Sequence, residues 1–312
     1  PLCLSKTETM RYAIIGTGAV GGYYGGRLAN AGHDVHFLLH SDYAHVRENG
    51  LQVESCNGSF HLPRPNIYNS VQDMPQADVV IVALKTTRNS LLSQLLPPLL
   101  HPKTLVLLIQ NGIGLEADVQ KMFPGLWLAA GLAFICSAKT GPGRVSHQCY
   151  GHISIGNYSC PDQQVMERLV ADFNASGIKA AEVEYHEARW KKAVWNMPFN
   201  GMTVAMNTQT DKLLQHPSTR SLIRRQMLEV IGAARALGVQ NIDEGFADRM
   251  IQNTLDMVPY SPSMKLDYDF HRPMEIDYLY TRAIAEAHKA GFSMPCLEML
   301  EAQLRFLENR HS

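Results

Sequence analysis

A β-branched run, Arg11-Tyr12-Ala13-Ile14-Ile15, leads directly into Gly16-Thr17-Gly18-Ala19-Val20-Gly21. A helical pattern follows over Gly22–Ala31, and a second apolar run begins at Val35. Strand, glycine turn, helix and strand in that order leave few folds open. Gly16 permits the tight turn, Gly18 lets backbone approach a pyrophosphate, and Gly21 allows close packing of helix on strand. The free amides of the loop and helix start, over Thr17, Ala19 and Val20, point at phosphates. Glycine turns of this spacing are common in isolation; between a strand and a helix the pattern predicts a dinucleotide site.

The hydrophobic period carries the reading further. Arg11–Ile15, Val35–Leu39, Asp78–Leu84 and Thr104–Gln110 read as strands, and three of them are nearly continuous apolar runs, as in a parallel sheet covered on both faces. Gly143–His147 and His152–Gly156 read as a later antiparallel pair, with Gly141-Pro142-Gly143 as turn punctuation. From about Glu182 the pattern is helical, over Glu187–Met206, Ser218–Leu237, Glu244–Met257 and Glu275–Ala290, with stop glycines at Gly238 and Gly291. The expected class is α/β: an N-terminal Rossmann-type parallel sheet over residues 10–182, then a C-terminal all-α domain over residues 183–312. A chain of 312 residues suits two cores. Pro1–Thr9 reads as a disordered lead-in before a natural start at Met10.

Composition excludes several partners. Lys plus Arg total 28 against 29 Asp plus Glu, without the basic surplus that nucleic acid or an anionic membrane requires. The longest apolar stretch, Trp127–Cys136, is about half of the ~20 residues a membrane helix needs, and no signal-peptide core precedes the first strand. Six scattered cysteines form no Cys-x-x-Cys pair, and the histidines include no HExxH. This predicts reduced thiols, a cytoplasmic location and no metal.

Ligands gather at the carboxyl edge of such sheets. The end of the second strand reads His40-Ser41-Asp42, so His40 stands where an NAD enzyme places a carboxylate for the ribose hydroxyls. Asp34 comes too early, and Asp42 reads as a helix-entry residue. The missing carboxylate favours NADP, with Arg47 within reach of a 2′-phosphate from the next helix. Lys85 and Asn111 follow the next two strands. Singly they read as a solvated loop lysine and a turn residue; with Gly16 and His40 they mark one crevice. In the helical half, Lys192, Asn196, Asn200 and Thr203 fall on one helical stripe whose other side chains, from Ala193 to Met206, are apolar or glycine. The alternative is a partly exposed face, which would normally carry more charge than two amides. A buried stripe of this kind lines a polar cavity, and Pro198 is expected to kink the helix near Val194.

The motifs together resemble the ketopantoate reductase (2-dehydropantoate 2-reductase) family. The resemblance runs from Met10 to about Leu304, through GTGAVGG at the start, ALKT at 83–86, QNGIG at 110–114 and GPGRVSH at 141–147. It continues through RWKKAVWN and Asn200, SPSMKLD at 261–267 and MEIDY at 274–278. It implies that Gly16–Gly21, Lys85, Asn111 and Ser137 contact the cofactor. It further implies that Lys192 is the catalytic proton donor and that Asn196, Asn200 and Ser263 bind substrate, Ser263 at its carboxylate. Glu275 would lie close to substrate and nicotinamide ribose. Without the family pattern, Ser263 and Glu275 read only as first-turn helix residues. Four positions depart from the pattern: His40 replaces a usual arginine, Thr210 a substrate-contacting asparagine, Thr281 a glycine, and a proline precedes rather than follows the second stripe asparagine.

The resemblance implies NADPH-dependent reduction of ketopantoate to pantoate, in pantothenate and coenzyme A biosynthesis, with the small-molecule 2-keto acid between the two domains. The alternatives are a hydroxy-acid or opine-type dehydrogenase and a non-catalytic NADP-sensing protein. Oligomerisation leaves no mark in the pattern.

Overall fold

The computed structural model describes residues 9–309. All of the expected lead-in Pro1–Thr9 except Thr9 lies outside the described residues. By internal contacts the chain forms two compact units, one running to Gln110 and resuming over Glu116–Val183, the other comprising Asn111–Leu115 and the chain from Glu184 onward. The short segment around Gly112 therefore groups with the helical half.

The first unit is built on one sheet of β1 (Arg11–Ile15), β2 (Asp34–Leu38), β3 (Leu51–Ser55), β4 (Phe60–Leu62), β5 (Asn66–Tyr68), β6 (Val79–Val82), β7 (Leu105–Leu108), β8 (Trp127–Gly141), β9 (Arg144–Asn157) and β10 (Ala180–Val183). The spatial order is β4-β3-β9-β8-β7-β6-β1-β2-β5, with β10 beside β9. Ile15 aligns with both Leu38 and Val82, and Val82 with Leu108, so β2, β1, β6 and β7 end at one level along one edge. All four residues of β6 and of β7 are buried, which explains their unbroken apolar sequence. Helices α1 (Ala19–Asn30), α2 (Tyr43–Asn49), α3 (Leu92–Leu95), α4 (Leu115–Met122) and α5 (Gln163–Ala175) connect the strands. Tyr12, Tyr23, Tyr24, Phe37 and Phe173 anchor the core.

The antiparallel pair is not the one expected. Gly143–His147 and His152–Gly156 are two ends of the single strand β9, and its hairpin partner is β8, which takes in the apolar stretch Trp127–Cys136. Tyr150 at φ 63° and Gly151 at φ 101° interrupt the alternation in β9, and the register with β8 shifts nearby. The turn glycine is Gly143, as placed, but it joins β8 to β9.

The second unit contains α6 (Tyr185–Ala205), α7 (Thr210–Gln215), α8 (Pro217–Ala236), α9 (Gly245–Leu255), α10 (Ser263–Asp269), a π-helical turn (Asp277–Thr281), α11 (Arg282–Lys289) and α12 (Pro295–Asn309). The Glu184 carboxylate starts α6 by accepting from the His186 and Glu187 amides, and Asn207 in the left-handed region follows its end. The helix runs through Pro198 and packs against α8, α10 and α12, so its side chains from Trp190 to Val204 are nearly all buried. Gly201 is required by packing, since a Cβ there would lie 2.6 Å from both Leu300 Cδ2 and Tyr280 Oη. The expected helix Glu275–Ala290 is corrected in its first turn, which is π-helical. There the Tyr278 carbonyl accepts from the Ile113 amide at 2.9 Å, and the Tyr280 hydroxyl donates to the Met197 carbonyl of α6 at 2.5 Å.

Candidate active site

The glycine loop leaves β1 at Gly16, at φ 91°, where a Cβ would sit 2.6 Å from the Leu84 nitrogen; only glycine makes this turn without displacing the chain after β6. A Cβ on Gly21 would come 2.2 Å from the Gly16 carbonyl oxygen, whereas one on Gly18 would meet nothing within 4 Å. The open side of the loop is therefore at Gly18. Gly18 precedes α1, whose first turn has neither a side-chain cap nor an acidic residue, so the helix start offers its amides and positive dipole end without competition. Thr17 donates to the Leu38 carbonyl at 3.0 Å, tying the loop to the end of β2. An open cradle bounded by small residues and amides fits a dinucleotide pyrophosphate.

His40 is exposed beyond β2. Asp42 is buried: it accepts from Lys139 Nζ at 2.6 Å and from the Gly143 amide at 2.9 Å. Burial opposes its charge, but the Gly143 amide and Lys139 outweigh that cost and hold the carboxyl below its ordinary range. Asp42 is thus committed to the β8–β9 turn. Arg47 on α2 is exposed and stacks on Tyr43, 5.7 Å from the ring centre. Lys85, also exposed, follows β6. Ser137 lies on β8, and its buried hydroxyl has no hydrogen-bond partner among the described residues.

The helical unit holds a small cavity walled by Gly112, Ile113, Arg189, Lys192, Ala193, Asn196 and Leu279. Lys192 is 8% exposed. Burial, reinforced by the Arg189 charge and opposed by Glu275, lowers its ammonium to about 7. An amine near neutrality can hold and release a proton under ordinary conditions. Asn196 shares the cavity wall with it.

Asn200 is differently placed: its Oδ1 accepts from the Met264 amide at 3.2 Å and its Nδ2 donates to the Asn196 carbonyl at 2.9 Å. It ties the start of α10, and with it the half-buried Ser263, to α6. Thr203, the last member of the stripe, bonds back to the Phe199 and Asn200 carbonyls. The stripe therefore divides into a cavity half, Lys192 and Asn196, and a scaffold half, Asn200 and Thr203. Thr210 is buried at the start of α7, and Glu275 is buried just before the π turn.

Asn111 groups with this unit rather than with the sheet. Gly112 beside it takes φ 121°, and a Cβ there would meet the Tyr278 carbonyl oxygen at 2.6 Å. Arg189 was not singled out by sequence, although it lies three residues before Lys192 on the same helical face.

A glycine-turn α/β unit followed by a helical unit with a buried, neutral-range lysine defines the class: a two-domain oxidoreductase of the nicotinamide-dependent kind. The comparisons name the family within it. Family models described as ketopantoate reductase PanE/ApbA and its C-terminal domain match residues 12–159 and 184–308. The chain is 43% identical, over 96% of each partner, to a 2-dehydropantoate 2-reductase of Nostoc sp.. The crystal structure of a 2-dehydropantoate 2-reductase from Geobacter metallireducens superposes with a TM-score of 0.92 at 37% identity, over 97% of this chain and 100% of that one. The corresponding enzyme from Methylococcus capsulatus gives 0.88 at 31%, over 97% and 98%. The chain belongs to the ketopantoate reductase family. No helix among the described residues is long and apolar enough to cross a membrane.

Proposed function

We propose that this protein reduces 2-dehydropantoate to pantoate, with NADPH as the hydride source. The observation that carries the reading is the buried Lys192, lowered to about 7 beside Asn196 in a cavity of the helical unit. NADPH, when bound, supplies a hydride to the keto carbon. As negative charge grows on the carbonyl oxygen, the Lys192 ammonium donates its proton there, and water later returns one to the neutral amine. Asn196 orients the substrate by hydrogen bonding, and Ser263, at the start of α10, receives its carboxylate. Glu275 balances the positive charge of the lysine and reaches the nicotinamide ribose. Asn200 contributes by fixing α10 to α6 as well as through the substrate contact implied by its place on the stripe.

In the first unit, Gly16–Gly21 with the Thr17, Ala19 and Val20 amides cradles the pyrophosphate. Lys85 and Ser137 would complete the nucleotide contacts there, and the family resemblance implies a cofactor contact for Asn111 as well. The choice of NADPH rests on the commitment of Asp42 to Lys139 and Gly143, with exposed His40 and Arg47 available to a 2′-phosphate.

The test compares NADPH and NADH oxidation at saturating 2-dehydropantoate and across a panel of other 2-keto acids. Preference for NADPH and for 2-dehydropantoate is expected. Faster turnover of a different keto acid would assign another substrate, and binding of NADPH without any oxidation would leave a nucleotide sensor.

A further inference from the structure

The wall of the Lys192 cavity contains a second cation. Arg189 precedes Lys192 by three residues, so the two side chains leave α6 on one face about a turn apart. Arg189 is 4% exposed and lines the same cavity as Lys192 and Asn196. A guanidinium keeps its charge at any pH a protein tolerates, whereas an ammonium can give its charge up. In a cavity bounded by Ile113, Ala193 and Leu279, water screens the two poorly, and the Arg189 charge favours release of the lysine's proton.

We propose that Arg189 is a positioning residue for proton delivery: its fixed charge, one turn from Lys192, keeps that amine ready to release its proton to the substrate oxygen. This inference rests on the reading of Lys192 as the proton donor.

Arg189 and Glu275 are the charges that act on Lys192. Glu187 pairs with Lys191 on α6 itself. Glu275, before the π turn, acts on Lys192 in the opposite sense. On α10, Lys265 pairs with Asp269, and Asp267 pairs with Arg272. Glu229 of α8 accepts from the Cys296 and Leu297 amides, Glu301 of α12 is engaged by Thr281 and Arg305, and Asp211 of α7 sits beside Lys212. Arg189 thus supplies the positive charge that opposes protonation of Lys192, and Glu275 tempers it.

The experiment uses full-length Arg189→Gln, Arg189→Met and Arg189→Lys proteins with two readouts. One is the pH profile of kcat/KM with NADPH and 2-dehydropantoate. The other, independent of turnover, is the labelling of Lys192 by acetic anhydride at graded pH, followed by mass spectrometry of its peptide. In the Gln and Met variants the basic limb and the labelling midpoint should both move upward by about one pH unit or more, while Arg189→Lys, which restores a cation, holds both near the parent values. A midpoint unmoved in the neutral variants overturns the inference; so does a large rise in KM with an unmoved midpoint, which would make Arg189 a grip on the substrate carboxylate instead. Lys192→Gln separates the two levels: retained turnover there removes the proton-donor reading, whereas lost turnover with an unmoved midpoint in Arg189→Gln removes this inference alone.

Discussion

The proposed chemistry rests on one side chain, Lys192, whose ammonium is expensive to bury. Lys192→Ala should lower kcat by about a hundredfold or more with a smaller change in KM, because its proton is needed only as charge develops on oxygen; steady-state kinetics at neutral pH measure the split. In the parent protein kcat/KM should fall as pH rises through about 7, since the neutral amine has no proton to give. Stability runs the other way. The folded state binds this proton less tightly than the unfolded chain, so the cost of burial is full below about pH 7 and fades as pH rises toward the ordinary lysine value. Lys192→Met should therefore raise Tm more at pH 6.5 than at pH 9.5, and an equal gain at both would contradict the lowered ionisation. At this scale the sequence was legible where a polar residue interrupts an apolar helix, as at Lys192 and Asn196. It was not legible at Arg189, because a charge at the start of an apolar run looks like the end of an exposed face. Nor did it show that Asn200 spends its amide on Met264, a contact between residues 64 apart.

The glycine loop separates what folding requires from what binding requires. Gly16→Ala should lower Tm, since its Cβ would press on the chain after β6 in a backbone region side chains avoid. Gly18→Ala should leave Tm nearly unchanged yet weaken NADPH binding by about tenfold, because the space over Gly18 is open within the protein; thermal melts and fluorescence titration of both variants make the comparison. Asn200→Ala should cost about 1–3 kcal/mol through the buried Met264 amide left without its acceptor, read from denaturant unfolding. Elements with a strict period were readable: β1, β6, β7 and α6 lie within a few residues of their expected bounds. The β8–β9 hairpin was not. The long run in β8 carries too few turn signals to announce a strand, and the break at Tyr150-Gly151 makes one strand look like two.

For the whole molecule, the order of sheet and helices followed from period and punctuation alone, while the pairing of β3 with β9 did not, since it joins segments about 90 residues apart. A ligand that binds only the folded state stabilises it by mass action, so NADPH at a hundred times its Kd should add about 2.7 kcal/mol. The same excess of NADH, supplied at equal concentration, should add less if the 2′-phosphate is recognised, and differential scanning calorimetry distinguishes the two.

The π turn at Asp277–Thr281 has a further consequence. A π turn holds one residue more than the α-helical winding it interrupts, and here the surplus lets the Tyr278 carbonyl face the Ile113 amide. Deleting a single residue from 277–281 would let the helix rewind as a regular α-helix and swing its leading end by about 100°. Glu275, whose charge acts on Lys192, would be displaced, and the hydrogen bond from the Ile113 amide would be released. A one-residue loss at a partly exposed turn should therefore be as damaging as a substitution in the cavity itself.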